Sequence, residues 1–262
     1  MCKKIIILMM AAMLVFSGCG KAETKEPISV FAAKSLNRAL DEIIENYKEI
    51  NPEVTIQTNY DSSGTLMTQI AEGGAECDIF FSASPKQINS LEEAGLTVSG
   101  TREDILKNKL CVVTYKGSNT KVTGLRNLNK ATSLAIAGEG VPAGDYTRKA
   151  LVNIGIDMSV AFADVEINEC ANVGAVVSAI AEHSNEVGTV YYSDTYGYED
   201  EFQILEVVDT DITGEIVYPV VRIKNNDATS SEEIDEFLDY LDSEEAKAIF
   251  KKYCFIVNDD LD

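Results

Sequence analysis

The sequence is poor in the residues from which most catalytic and metal sites are built. It has a single histidine, His183, so no multi-histidine metal site can form. That histidine lies in the polar stretch Glu182-His183-Ser184-Asn185 near the end of a predicted helix, where a solvated imidazole is the expected role. Lys34 and Ser35 are adjacent in the chain, and neighbours in sequence seldom face each other, so a serine/lysine nucleophile is not expected. Glycine patterns of the dinucleotide-binding or P-loop kind are missing. Basic residues are scarce: 22 Lys and Arg stand against 43 Asp and Glu, for a net charge of −21. Binding to a phosphate backbone needs a basic footprint, so nucleic acid is not an expected partner. An acidic surface instead favours a soluble monomer. Solenoid repeats and low-complexity tracts are lacking too. After the N-terminus no apolar run approaches the roughly 20 residues that a membrane span needs.

What is present begins with an export pattern. Met1-Cys2-Lys3-Lys4 is a basic start, Ile5 to Phe16 an apolar run too short for a permanent span, and Ser17-Gly18-Cys19 a small-residue cleavage zone. Residues 1–18 are therefore expected to be a signal peptide. A cysteine directly after Ser17-Gly18 resembles the lipobox of bacterial lipoproteins, although Phe16 replaces the usual leucine. The resemblance implies lipidation of Cys19 and a polar tether over residues 19–26, with ordinary cleavage near the same point as the alternative. Two acyl chains hold a protein at a membrane far more firmly than one. Losing Lys3 and Lys4 would leave the net charge two units more negative. Cys77, Cys111, Cys170 and Cys254 remain, at spacings that match no zinc pattern. They permit three disulfide connectivities, or they are small buried thiols on strands.

The globular part alternates short β-rich runs with helical patterns. Ile28 to Phe31, Val54 to Thr58, Asp78 to Ser82, Leu110 to Thr114, Leu134 to Ala137 and Val187 to Tyr191 read as strands. Between them, apolar stripes at helical spacing run through Leu36, Leu40, Ile43, Ile44 and Tyr47, through Leu66, Met67 and Ile70, and through Val173, Val176, Val177 and Ile180. Two helices with acidic first turns close the chain, one with Ser230 and Glu233 as a capping box and one starting at Ser243-Glu244-Glu245. This order is the signature of an α/β fold with mostly parallel sheets.

Small polar residues fall where strands give way to helices. Ser35 precedes the first stripe, Ser62-Ser63-Gly64 the second, Pro142-Ala143-Gly144 opens a helix through Tyr146 and Leu151, and Asn172-Val173 opens the valine stripe. Taken singly, each serine reads as an ordinary helix cap. Helix starts also expose unpaired N–H groups and the positive end of the dipole, and in open α/β folds they lie along the crevice outside the carboxyl ends of the strands. If several converge, they form an anion site that needs no basic side chain.

Five segments containing these residues, Phe31-Ala32-Ala33-Lys34-Ser35-Leu36, Ser62-Ser63-Gly64-Thr65-Leu66, Asp78-Ile79-Phe80-Phe81-Ser82-Ala83, Val141-Pro142-Ala143-Gly144 and Gly188-Thr189-Val190-Tyr191, stand in the order seen in the molybdate-binding proteins of ABC importers. The resemblance runs from about Ile28 to Val257. It implies a periplasmic-binding-protein-like fold of two lobes, each a mostly parallel sheet flanked by helices: residues 27–108 plus 219–262 form lobe 1, and residues 109–218 form lobe 2. It implies a binding protein and not an enzyme, with no cofactor, that captures molybdate or tungstate and passes it to an importer permease. The implied donors are the hydroxyl and backbone N–H of Ser35 and Ser63, the backbone N–H of Ala143 and Val173, and the hydroxyl of Tyr191. Molybdenum would be held as its oxyanion by these residues, with no direct metal-ion site. Neutral donors can hold a dianion because its charge is spread over four oxygens, and exposed acidic charges farther than about 8 Å are screened at physiological salt. Ser84 departs from the family, which often has an acidic residue there, a difference expected to affect the packing of the cleft rim more than ligand contact.

Three rival readings accompany this one. Sulfate or phosphate is another oxyanion. Ferric ion would use Tyr191 and Tyr192 as paired tyrosinates, against which positive helix ends repel a cation and strand alternation sends the two rings to opposite faces. An exported enzyme or a sensor without transport would share the fold.

Overall fold

A computed structural model of the chain describes residues 26–224 and 231–257. The predicted signal peptide, Cys19 with most of its tether, and the predicted cap Ser230 lie outside the described residues.

Strand β1 (Ile28–Ala33) is buried along nearly its whole length, as a central strand must be. A 3-10 turn (Lys34–Leu36) leads into α1 (Asn37–Ile50), which buries Ala39, Leu40, Ile43, Ile44 and Tyr47 at helical spacing. Next come β2 (Ile56–Asp61), α2 (Ser63–Ala71), β3 (Ile79–Phe81), α3 (Pro85–Glu93) and β4 (Glu103–Asn108). The chain then crosses into a second sheet with β5 (Leu110–Tyr115), β6 (Ser133–Ala137), α4 (Pro142–Asn153), the one-turn α5 (Met158–Ala161), β7 (Glu166–Cys170), α6 (Val173–Ala181), β8 (Val187–Tyr191), β9 (Phe202–Val207) and α7 (Thr210–Thr213). It returns through β10 (Ile216–Arg222) and finishes with α8 (Ser231–Leu241), α9 (Glu244–Lys252) and β11 (Ile256–Val257). Ser243 caps α9 by accepting from Ala246 N.

The first sheet has the order β11-β4-β10-β3-β1-β2 and the second the order β7-β6-β8-β5-β9. Each is flanked by helices, so the α/β architecture of two lobes stands. The sheets themselves are mixed, which corrects the expectation of mostly parallel ones. β1 runs parallel to β2 and β3, and β6 parallel to β7 and β8. β10 is antiparallel to both β3 and β4, β11 to β4, and β5 to both β8 and β9. The cause is connectivity: the segments that cross between the lobes, and the C-terminal segment, enter their sheets in the reverse direction. The return crossing also comes earlier than Pro219, because Ile216 is already paired with Asn108 of β4 in the first sheet.

Cys77, Cys111, Cys170 and Cys254 are free thiols, the first three buried, so the disulfide alternative is not realised. His183 follows α6 in a left-handed conformation (φ 56°) and stacks on Tyr115 at 4.1 Å, an exposed helix end as expected. Among the described residues no helix is long and apolar enough to cross a membrane.

Candidate functional site

The carboxyl ends of β1 and β2 place two serines of lobe 1 side by side. Ser35 does not cap α1; its hydroxyl lies 2.9 Å from the Tyr218 hydroxyl on β10. Capping of α2 is done by Ser62, whose Oγ accepts from Thr65 N at 3.1 Å. This frees Ser63, the next residue, for another role. Its Oγ accepts from Ala83 N at 2.9 Å, which occupies a lone pair and leaves the hydroxyl proton free to point elsewhere.

Lobe 2 brings two helix starts to the same place. Pro142 at the first position of α4 fixes the helix geometry and contributes no N–H, so Ala143 carries the first available donor. Gly144 lets this helix start close on the end of β6: a Cβ there would lie 2.0 Å from the carbonyl oxygen of Ala137. Asn172 caps α6 through Ala175 N at 3.1 Å, and Val173 is the first helical residue. Tyr191, at the end of β8, is 1% exposed, and its hydroxyl, a neighbour of the Tyr218 hydroxyl, makes no hydrogen bond of normal geometry among the described residues. Tyr192 begins the 3-10 turn that follows, is 36% exposed and does not line the cavity that Tyr191 lines, so the two rings are not brought together as an iron site would require.

All five residues singled out from sequence, Ser35, Ser63, Ala143, Val173 and Tyr191, line one cavity between the lobes, together with Lys34, Asp61, Ser62, Val141, Pro142 and Asn172. The free space inside it is small, about 10 Å³, roughly the room one water molecule needs, so a larger ligand would have to widen it slightly. The lobes are closed over it. Asn172 Nδ2 of lobe 2 donates to Asp61 Oδ1 of lobe 1 at 3.1 Å, and Lys86 Nζ meets Asp145 Oδ2 at 3.2 Å. At another edge, Arg38 donates to the Tyr196 carbonyl, and its guanidinium lies 5.6 Å and 5.8 Å from the rings of Tyr196 and Tyr198. Ser84 caps α3 and lies beside the Tyr146 hydroxyl across the rim. The position where the family often has an acid is thus occupied by a neutral interlobe contact.

Burial sets the protonation of the cavity's neighbours. It pushes the phenols of Tyr191 and Tyr218 well above their ordinary range, so both stay neutral and can donate. The same cause raises the Asp194 carboxyl from 3.8 to about 7, opposed by the hydrogen bond it accepts from Tyr191 N at 3.0 Å. Between those two values the folded protein holds a proton that the unfolded chain has released. The stabilising contribution of the neutral acid is therefore complete below about pH 4 and is lost as pH rises to about 7. Melting temperatures of wild type and Asp194→Asn, measured across this window, should converge or cross as the wild type loses ground with rising pH. Parallel curves would show that Asp194 ionises normally.

The sequence matches the model of the bacterial extracellular solute-binding proteins over residues 28–256. The chain belongs to that family. It is a family of binding proteins, not enzymes. The curated relatives include a Bacillus subtilis protein described as a putative ABC transporter substrate-binding lipoprotein, YvgL, 31% identical over 96% of both chains. The molybdate-binding protein ModA of Escherichia coli is also 31% identical, over 98% of this chain and all of its own. Among solved structures, the substrate-binding domain of a putative molybdenum ABC transporter from Clostridium difficile is 32% identical with a TM-score of 0.65, covering 88% of this chain and 98% of that one.

Sequence reasoning missed the residues that act behind the wall. Tyr218 sits in a strand that was not recognised, and Asn108 and Asp194 carry no local pattern; Asp61, on the wall itself, ends the unremarkable polar strand β2. Only the fold brings them to the cavity. Lys34 was read solely as a possible nucleophile partner, yet its stem packs where a Cβ on Gly174 would be, 2.9 Å away, and so helps close the lobes.

Proposed function

We propose that this protein captures a tetrahedral oxyanion, molybdate or tungstate, between its lobes and delivers it to the permease of an ABC importer. The observation that carries this reading is the Tyr191 hydroxyl. It is buried and makes no hydrogen bond of normal geometry among the described residues, and it lines a cavity that also receives two helix starts and two serine hydroxyls. A buried donor left without an acceptor costs about 1 to 3 kcal/mol, a cost that an anionic ligand would remove. Helix starts and neutral hydroxyls favour an anion over a cation. Because donors come from both lobes, the ligand stabilises the closed arrangement by its differential affinity for it. The similarity to ModA and to the Clostridium difficile domain supports molybdate as the ligand, and the similarity to YvgL supports transport. Lipidation at Cys19 would hold the protein as a monomer on the outer face of the cell membrane, supported by Ser17-Gly18-Cys19 and by the lipoprotein description of YvgL.

A second reading, an oxyanion that carries a proton such as hydrogen phosphate, is favoured by one observation: the Asp61 carboxylate on the wall is an acceptor. Calorimetric titration of the soluble part with molybdate, tungstate, sulfate and phosphate separates these. Molybdate and tungstate should bind far more tightly than sulfate, because a rigid ring of donors fits the larger ion. Equal sulfate affinity would refute the molybdate assignment, and preferred phosphate binding would establish the second reading.

A further inference from the structure

Behind Ser35 lies a buried chain of polar groups that starts where the backbone crosses between the lobes. Asn108 is the last residue of β4, 1% exposed, and Tyr218 is on the adjacent strand β10, fully buried. These two strands carry the two crossings. The direction of every hydrogen bond in the chain can be deduced. Lys109 N lies 2.9 Å and Ser193 N 3.4 Å from Asn108 Oδ1, and a backbone N–H can only donate, so this atom must be the amide oxygen. The amide nitrogen then faces Ser193 Oγ at 2.8 Å and Tyr218 Oη at 3.3 Å and donates to both. Tyr218 Oη, receiving that proton, has one of its own to place. Ser35 Oγ at 2.9 Å is the acceptor in hydrogen-bond geometry; the neighbouring Tyr191 hydroxyl lies outside that geometry. Tyr218 therefore donates to Ser35, and the Ser35 proton cannot point back.

We propose that Asn108 and Tyr218 are positioning residues that orient the Ser35 hydroxyl proton into the cavity, so that the strands crossing between the lobes set the polarity of the ligand site. This rests on the oxyanion reading and deepens it. A serine hydroxyl rotates freely in water and can offer either a proton or a lone pair. Here the lone pair is occupied from behind by Tyr218, just as Ala83 N occupies that of Ser63. Both serines are thereby preorganised as donors before the ligand arrives, and no rotational freedom is lost on binding. The chain also passes through Ser193 of lobe 2, whose N and Oγ both bond to Asn108. Opening of the lobes that shifted Ser193 relative to β4 would disturb the amide that directs Tyr218.

The test is a double-mutant cycle on molybdate affinity using Ser35→Ala, Tyr218→Phe and the pair. Each single change should weaken binding by about tenfold or more, and the double variant should be within about twofold of the weaker single, because Tyr218 acts only through Ser35. A purely structural role for Tyr218 predicts that the two losses multiply, and that result would overturn the proposal. Should Tyr218→Phe fold poorly, Asn108→Asp is a nearly isosteric second probe. Its carboxylate has no N–H, accepts the Tyr218 proton, and turns Tyr218 into an acceptor that draws the Ser35 proton out of the cavity. Its loss should shrink in the Ser35→Ala background; the same fold loss in both backgrounds would mean simple charge repulsion and would also overturn the proposal. Wild-type protein that binds none of molybdate, tungstate, sulfate and phosphate would overturn the oxyanion reading and this inference together. Binding with independent losses would overturn the inference alone.

Discussion

Replacing Ser35 and Ser63 together with alanine is expected to abolish oxyanion binding at working concentrations. A hydrogen bond to a charged partner contributes about 1.5 to 3 kcal/mol, so two lost donors amount to about 3 to 6 kcal/mol, a rise in Kd of roughly a hundredfold to ten-thousandfold. The two serines are not equivalent for the fold. Ser63→Ala leaves the buried Ala83 N without the oxygen it now reaches at 2.9 Å, and Ser35→Ala removes the partner of Tyr218 at the same distance. Each should therefore lower the melting temperature of the ligand-free protein as well, by the equivalent of about 1 to 3 kcal/mol. The two effects can be told apart by adding ligand. Wild-type protein should melt higher with increasing molybdate, by RT ln(1 + [L]/Kd), while the double variant should show no ligand-dependent rise at concentrations that saturate the wild type. A double variant that melts lower but keeps its full ligand-induced shift would reduce both serines to structural roles.

The helices and the cavity-lining residues were legible because their signals are local. The stripe from Leu36 to Tyr47, the valine stripe from Val173, and the small residues at the helix starts all read from short windows, and the structure gathers Ser35, Ser63, Ala143, Val173 and Tyr191 around one cavity. What was illegible depended on long-range pairing. β4 has the sequence EDILKN and β7 the sequence EINEC, both with exposed charged residues and little of the apolar content that marks a buried strand. β10 contains Pro219, which argues against a sheet interior; here a register shift between Tyr218 and Pro219 accommodates it. β4, β9, β10 and β11, the strands that passed unrecognised along with β7, pair antiparallel, and for this reason the sheets were expected to be mostly parallel. The same blind spot hid Tyr218 and Asn108. Residues that touch the cavity could be found one loop at a time, but residues that direct them could not.

Gly64 offers a way to separate closure from folding, because it is a helical residue whose missing side chain matters only when the lobes meet. It lies in the first turn of α2, and its φ is not in the left-handed region. Alanine in a helix is favoured over glycine by about 0.5 to 1 kcal/mol, so within lobe 1 the change Gly64→Ala should be stabilising. Across the cleft the opposite holds. A Cβ at this position would lie 2.5 Å from the carbonyl oxygen of Gly140 in lobe 2, nearer than real Cβ atoms approach, and that neighbour is backbone and cannot rotate away. Closing the lobes on the variant must displace the loop before α4, the helix whose start supplies Ala143 to the cavity, or stop short of full closure. Either outcome spoils the donor geometry from lobe 2 while leaving Ser35 and Ser63 intact. The expected result is a ligand-free protein at least as stable as wild type, with oxyanion affinity reduced about tenfold to a hundredfold, the consequence of an overpacking cost of about 1 to 3 kcal/mol. Small-angle scattering with saturating molybdate should show less compaction than in wild type. Unchanged affinity would mean that the ligand is held without the close approach of Gly64 to Gly140, and that the cavity is completed by a wider closure than the one these contacts define.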